Sequence, residues 1–398
     1  MHQRMGMKYD PAAGASRLTQ RLPAFLADLR KLVNIDSGTH DKSGIDTVLS
    51  HLATRYQQLG AGIRIIPHDR LGNTMVATFS GEGSGSMLLI GHTDTVYPPG
   101  TAASSPFRIE GDRAYGPGTT DMKAGDLAIV YALEDLLGQG WKDFSTVTVV
   151  HNSDEEIGSP SSRELIHQES LQADAVLVLE PGRENGDIVS ARKGIVDMEI
   201  EVRGQSAHAG VNKSRGRSAA LEMAHLIVAL ESLNSQPGEV SVNVGRVESG
   251  DRVNVVPDRA HAHVEMRATT KAMLDEALSR IEKVVATRTV DGTSAVLRSS
   301  VEHLPMQRTA STAHLVDLAR RVASEIGFEV NDTATGGASD GNTAAQAGRP
   351  VLDGLGPIGG LAHSPEEYVL VPSIAPRVAL LAGIMVLIGA GAIEEASP

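Results

Sequence analysis

The 398-residue chain has no cysteine. That absence excludes disulfides, thiolate metal sites and cysteine nucleophiles, and leaves His, Asp and Glu as the only metal donors, a set that suits zinc, manganese or cobalt. Runs of basic residues are also missing from a chain of formal net charge −13. Nucleic acid and anionic membranes are therefore not expected as partners. A small anionic substrate remains compatible, because a local pocket can be positive on an acidic protein. Long apolar segments are lacking too. The longest, Val378–Ile393, is shorter than the roughly 20 residues a spanning helix needs, and glycines interrupt it. It reads as a buried C-terminal helix. Met1–Tyr9 is polar and has no apolar core of the kind a signal peptide carries. The expectation is a cytoplasmic protein. Neither an internal repeat nor a low-complexity segment is seen.

What is present is an ordinary globular composition, 41% hydrophobic, with length for two or three domains. Helical spacing of apolar residues predicts helices over Leu18–Leu32 and Ser43–Leu59, the second ending at Gly60. Short apolar runs at Ile63–Ile66, Thr74–Phe79 and Met87–Ile90 read as strands between glycine-rich turns. The run Gly81–Gly85 looks like a phosphate loop, but a strand follows it, so a hairpin turn is expected. Helices at Ala124–Leu137 and Ser161–Glu169 then alternate with strands at Thr146–His151 and Ala175–Leu179. This alternation predicts an α/β core with a mainly parallel sheet. The pattern changes at Ile195–Val202, which alternates apolar and polar residues. Helix Ser218–Leu233, strands Val240–Val247 and Ala260–Ala268, helix Met273–Thr287 and strand Ala295–Val301 follow. The order β-α-β-β-α-β fits a ferredoxin-like α+β insert, placed at residues 193–306 between catalytic segments 1–192 and 307–398.

Potential ligands fall at five places, at strand ends and in loops. His92 follows strand Met87–Ile90, Asp121 precedes a helix, Glu155 and Glu156 follow His151, Glu180 follows Leu179, and His363 sits in a Gly-rich loop. In an open α/β sheet, ligands bind beyond the carboxyl ends of the strands. Two zinc ions about 3.5–4 Å apart demand several carboxylates, one of them bridging. A metal-bound water has its pKa drawn down to about 7, and an unligated carboxylate beside it serves as general base. The Glu155-Glu156 pair offers one carboxylate for the metal and one for that water. Asp94, two residues beyond His92, lies on the same side of an extended segment and can fix the second imidazole nitrogen. His261 and His263 alternate on a strand and read as exposed surface histidines.

With these residues in place, the chain resembles the zinc-dependent aminoacylase and carboxypeptidase family, and within it the bacterial glutamate carboxypeptidases. The motifs that carry the resemblance are Gly91-His-Thr-Asp-Thr-Val96, Ala114–Lys123, Asn152–Ser159, Gln205-Ser-Ala-His-Ala-Gly210, Thr335–Asp340 and Leu361-Ala-His-Ser364. The resemblance implies two zinc ions per chain, with cobalt or manganese as substitutes. His92 and Glu180 would hold one ion, Glu156 and His363 the other, and Asp121 would bridge them. Glu155 would be the general acid/base and Asp94 the residue that orients His92. The insert would be a lid and dimerisation domain, giving a homodimer in which His208 reaches the partner subunit's site. Asn254, Arg267 and, in the Thr335–Asp340 loop, Gly337 would contact substrate. Positive charge from Arg192 or Lys193 would favour an acidic side chain. The implied reaction is cleavage of the amide bond to a C-terminal glutamate. The chain departs from the family's pattern at Met122, Arg192-Lys193-Gly194 and Ala338-Ser339, none of them an implied ligand. N-acyl-amino-acid deacylases, desuccinylases and small peptidases share the same metal set and are the competing readings.

Overall fold

A computed structural model describes residues 9–234 and 238–393. The reading of Met1–Tyr9 therefore falls, but for Tyr9, outside the described residues. The principal elements are α1 (Pro11–Val33), α2 (Lys42–Gln58), β1 (Gly62–Ile66), β2 (Thr74–Ser80), β3 (Ser86–His92), α3 (Ala124–Gly138), β4 (Thr146–Asn152), α4 (Arg163–Leu171), β5 (Ala175–Val178), β6 (Gly194–Arg203), α5 (Ala219–Glu231), β7 (Val240–Ser249), β8 (Arg259–Ala268), α6 (Lys271–Ala286), β9 (Ser294–His303), α7 (Ala310–Ile326), β10 (Val351–Leu352) and α8 (Val371–Gly389). They form two units. One contains the chain up to Ser190, residues 308–334 and the chain from Ser339. The other is Ala191–Gln307 with Thr335–Ala338.

The first unit is built on a six-stranded sheet in the order β1-β2-β4-β3-β5-β10. Strands β4, β3, β5 and β10 are mutually parallel. β2 runs against β4, and β1 against β2, so β2 alone is reversed. Met87–Ile90 of β3 are buried on both faces, as an apolar run in a covered parallel sheet must be. Side chains from α1 (Phe25, Leu29), α3 (Leu127, Tyr131), α7 (Leu315, Val322) and α8 (Leu380, Ile384) join Met87, Leu89 and Leu177 of the sheet in one apolar core. Helix α1 begins earlier than its apolar spacing shows: Asp10 caps it by accepting from the Ala13 N–H at 3.1 Å, and Pro11 suits the first turn.

Two expectations are corrected here. Gly81–Gly85 is a turn but not a hairpin, because β4 lies between β2 and β3 in the sheet. The turn instead folds back on the approach to β4, with Gly81 and Gly83 donating to the carbonyls of Ser145 and Phe144. A five-residue glycine-rich connection reads the same whether its strands pair or are separated by a third. The C-terminal helix starts at Val371, not Val378, and its 19 residues are long and apolar enough to cross a membrane by composition. Packing decides otherwise: 67% of its most apolar window is buried. Mid-helix Arg377 is buried and donates to the carbonyls of Gly354, Gly356 and Gly186. Burial pushes its guanidinium down to about 10.

The second unit has a four-stranded antiparallel sheet in the order β7-β8-β6-β9. With β-α-β-β-α-β connectivity, that is the ferredoxin-like arrangement. Val196, Met198, Ile200 and Val202 alternate with Asp197, Glu199, Glu201 and Arg203, and the apolar set is buried with Leu226 and Leu230 of α5 and Ile281 and Val285 of α6. The opposite face is polar. The two ends of the insert are tied together, since Arg192 and Met306 exchange backbone hydrogen bonds of 2.9 and 3.1 Å. Glu222 on α5 is fully buried and accepts from the N–H groups of Thr289 and Val290 at 3.1 and 2.6 Å. Glu222→Ala strands these donors and is expected to destabilise the insert by about 1–3 kcal/mol. Urea denaturation checks this, and an unshifted midpoint would show that the bonds contribute nothing.

Candidate metal centre

The site grows from the sheet order. β4, β3 and β5 are adjacent and parallel, so their carboxyl ends emerge side by side. His92 closes β3, the Glu155-Glu156 turn follows β4, and Glu180 stands just past β5. Asp121 comes from the turn before α3. Gly118 in that turn has φ +69°, and a Cβ there would meet the Thr95 methyl at 2.6 Å, so glycine is required. His363 lies in the loop before α8 at φ +63°, a strained conformation for an L residue that costs about 1–3 kcal/mol.

The structure brings all five ligand candidates together. His92 Nε2 is 3.2 Å from Asp121 Oδ1 and 3.6 Å from Glu180 Oε1. His363 Nε2 is 3.2 Å from both Asp121 Oδ2 and Glu156 Oε2. Asp121 thus turns one oxygen to each of two groups, His92–Asp121–Glu180 and Asp121–Glu156–His363, and the donor atoms within each lie within 4.8 Å of one another. The first group is buried, whereas the His363 side chain is 53% exposed, so the site opens on that side. The Asp121–Met122 peptide is cis.

Electrostatics point the same way. Burial works against a charged His92, but hydrogen bonds to Asp121 and Asp94 and the fields of Glu155 and Glu180 hold it well above the ordinary imidazole range. Contacts with Asp121 and Glu156 raise His363 to about 10. Asp121 is held low: burial opposes ionisation, and the two imidazoles override it. Burial drives Glu155 well above the carboxylate range, with Glu180, Asp340 and Glu156 adding and His92 opposing. Burial likewise raises Glu156. A pocket that draws protons onto its histidines and a glutamate has an excess of negative charge. Glu156 Oε1 is moreover buried without a hydrogen-bond partner among the described residues. Two divalent cations fit this donor set and remove both costs.

Around the ligand candidates stand Asp94, read from the sequence as the residue that orients His92, and Thr39, Glu367 and Asp340, whose parts sequence reasoning missed. Asp94 stands 3.4 Å from His92 Nδ1 and also accepts from Thr39 Oγ1 at 2.8 Å and from the Glu155 and Glu156 N–H groups. It therefore fixes the imidazole and the Glu-Glu turn together. Glu367 accepts from the N–H groups of Gly118, Thr120 and Asp121 and from Tyr97 Oη at 2.6 Å, so it holds the turn that presents Asp121. Burial raises its pKa to about 7. Its position four residues after His363 is a signal that sequence reading could have used. Asp340 accepts from Asn152 and Ser159 beneath the Glu155 turn.

The remaining candidates lie in the second unit, in two places. His208 is exposed and accepts from the Gly210 N–H at 3.2 Å; its loop pairs with that of Asn254, whose carbonyl accepts from Ala209. Arg267 is engaged: Nε and Nη2 pair with Glu265 at 2.7 and 2.9 Å, and Nη1 donates to the Gly336 carbonyl at 2.6 Å. Arg192 donates to the carbonyls of Gly337 and Ala338, so both arginines meet at the Gly336–Ala338 loop.

Two metal positions sharing one carboxylate, with a glutamate beside them, define a metal-dependent hydrolase site. The chain matches the model for peptidase family M20/M25/M40 over residues 88–386 and belongs to that family. It is 32% identical over 378 residues to carboxypeptidase G2 of Pseudomonas sp. (strain RS-16), covering 94% of this chain and 91% of that one. Acetylornithine deacetylase of Edwardsiella ictaluri is 27% identical over 391 residues, 92% and 97% of the respective chains. A tripeptidase from Staphylococcus aureus shares the fold with a TM-score of 0.79 at 23% identity, over 93% of this chain and 98% of its own.

Metal analysis of the purified protein is expected to give two ions per chain. Asp121→Ala is expected to retain less than one, since it serves both positions, and Glu180→Gln to lose only one. Equal losses in the two variants would show that Asp121 does not bridge.

Proposed function

We propose that the chain is a di-zinc carboxypeptidase that cleaves the amide bond to a C-terminal glutamate. The observation that carries the hydrolytic part is Asp121 facing both imidazoles, with Glu155 alongside. Two divalent ions held there would supply the Lewis acidity that polarises the scissile carbonyl and acidifies water. Glu155, anchored through its N–H to Asp94, takes a proton from the attacking water and returns it to the departing amine. Glu155→Gln is expected to keep its metal and lose roughly 100-fold or more in turnover. Near-normal turnover would assign the base elsewhere.

Substrate recognition we assign to the insert. A buried carboxylate calls for a planar two-pronged cation, and Arg267 is one, with Asn254 as a neighbouring contact. Glu265 holds that fork in this structure and must yield it to a substrate carboxylate. The second arginine at the Gly336–Ala338 loop, Arg192, supports a preference for an acidic side chain. Arg267→Ala is expected to lower kcat/KM on an N-acyl-glutamate by about 10- to 150-fold. The relatives that include a deacetylase and a desuccinylase favour a second reading, removal of an acyl group from a neutral or basic amino acid. Ranking N-acyl-glutamate, N-acyl-aspartate and N-acyl-alanine substrates separates the two: glutamate first supports the carboxypeptidase, and a neutral residue first overturns it.

We further propose a homodimer through the insert with His208 serving the partner's site. Support comes from Leu221 and Val228 on α5, 51% and 73% exposed, and from the open edge of β7. Mixing Glu155→Gln with His208→Ala subunits is expected to restore activity. No recovery after verified subunit exchange would place His208 outside the reaction.

A further inference from the structure

The polar face of the insert's sheet holds a second kind of cluster, separate from the ligands of the first unit. His261 and His263 are alternate residues of β8, so both rings project from that face. Glu199 pairs directly with His263 on the neighbouring β6. Its carboxylate oxygens stand 3.9 Å from His261 Nε2 and 3.9 Å from His263 Nδ1. The rings meet edge to face with centroids 4.6 Å apart. All three donor atoms lie within 4.8 Å of one another.

These separations carry the argument. Among the described residues no hydrogen bond joins either imidazole to Glu199, since 3.9 Å is too long for one. Yet two donors on one zinc ion at about 2.0–2.1 Å stand roughly 3.4 Å apart in tetrahedral geometry. Each imidazole is thus about half an ångström too far from its own Glu199 oxygen, and the three donors, all within 4.8 Å of one another, must draw together to share an ion, a movement that rotamer adjustment at a partly exposed surface covers. Two imidazoles and a carboxylate form a donor set that zinc accepts, and three protein ligands leave a position open to water. The rest of the face permits it. Cross-strand neighbours Arg246 and Arg298 flank the cluster; Arg246 pairs with Glu248, and Arg298 lies 3.9 Å from Glu199 without a hydrogen bond to it. Asp197 on the same face offsets part of their charge, Glu265 being taken up by Arg267. The cluster borders a concave depression of about 440 Å³, which leaves room for the ion and its water.

We propose that Glu199, His261 and His263 form a third, non-catalytic zinc site on the insert. An ion there ties β6 to β8, the two central strands of the sheet, side chain to side chain. The chain has no cysteine to compete for it.

The test uses the intact protein. Wild type, His261→Ala/His263→Ala and Glu199→Gln are dialysed against low-micromolar Zn²⁺ and their bound metal is measured, with hydrolytic activity followed in parallel. Wild type is expected to hold one ion per chain more than the double variant, and Glu199→Gln to bind that ion more weakly, with hydrolysis unchanged in all three. The readout is a difference between wild type and variant, so it does not depend on how many ions the His92–His363 cluster holds. Equal stoichiometry in wild type and double variant overturns the proposal. If the double variant does not fold, undiminished affinity in Glu199→Gln overturns it equally. Titration with Co²⁺ gives a second reading: a visible absorption increment on the last equivalent is expected in wild type and absent from the double variant, and its presence in both would refute the site.

Discussion

Concentrating four carboxylates and two imidazoles in one pocket is the constraint on which the catalytic unit depends. Such groups lose their hydration once buried and also repel one another, and Glu155 and Glu156 are raised first by burial and then by the neighbouring carboxylates. The fold holds the groups there from outside. Asp94 clamps His92 and the Glu155-Glu156 turn, Glu367 clamps the Asp121 turn, and Asp340 clamps the segment beneath. Each clamp is itself a buried carboxylate bonded mainly to backbone N–H or side-chain amide and hydroxyl groups. An anionic pocket has therefore been built on an anionic frame, which makes sense only if cations complete it.

That frame explains what was legible in the sequence. The ligand candidates could be found because they stand where apolar strands end, and parallel strands deliver their ends to one side. His92, Glu156 and Glu180 needed only this rule. Asp121 and His363 rested on glycine-rich surroundings and on the family's motifs. Of the clamps, Asp94 was legible from its place two residues after His92, but nothing local to Thr39 or Glu367 shows that either will reach residues some 55 or 250 positions away. The insert was legible because its strands alternate cleanly with one face buried, and its register follows from that alternation. The strand order of the first sheet was not, since periodicity specifies that a segment is a strand but not which neighbour it takes. The Gly81–Gly85 turn is the plain instance.

The two units divide labour by chemistry. The first carries nearly all the groups suited to polarising a carbonyl and moving protons. The second carries guanidinium groups and exposed loops suited to recognising a charged molecule. On the proposed function, Arg267 would not be simply waiting for its substrate. Its fork is already satisfied by Glu265, so a carboxylate bound there would have to match that arrangement in geometry as well as charge, and a ligand with a single weak acceptor would gain nothing by displacing it.

The backbone exchange between Arg192 and Met306 bears on how such a chain assembles. The first unit is interrupted by more than a hundred residues, and its late strand β10 must find β5 across that gap. Loop-closure entropy grows with the logarithm of the open length, about 0.6 kcal/mol for each doubling, and non-local pairing is what slows folding. Once the insert has closed on its own core, its two ends are pinned together and the interruption shrinks to the width of one hydrogen-bonded pair. The insert can then act as a topological short circuit: closing before the rest, it would shorten the search by which the discontinuous unit recovers its C-terminal half.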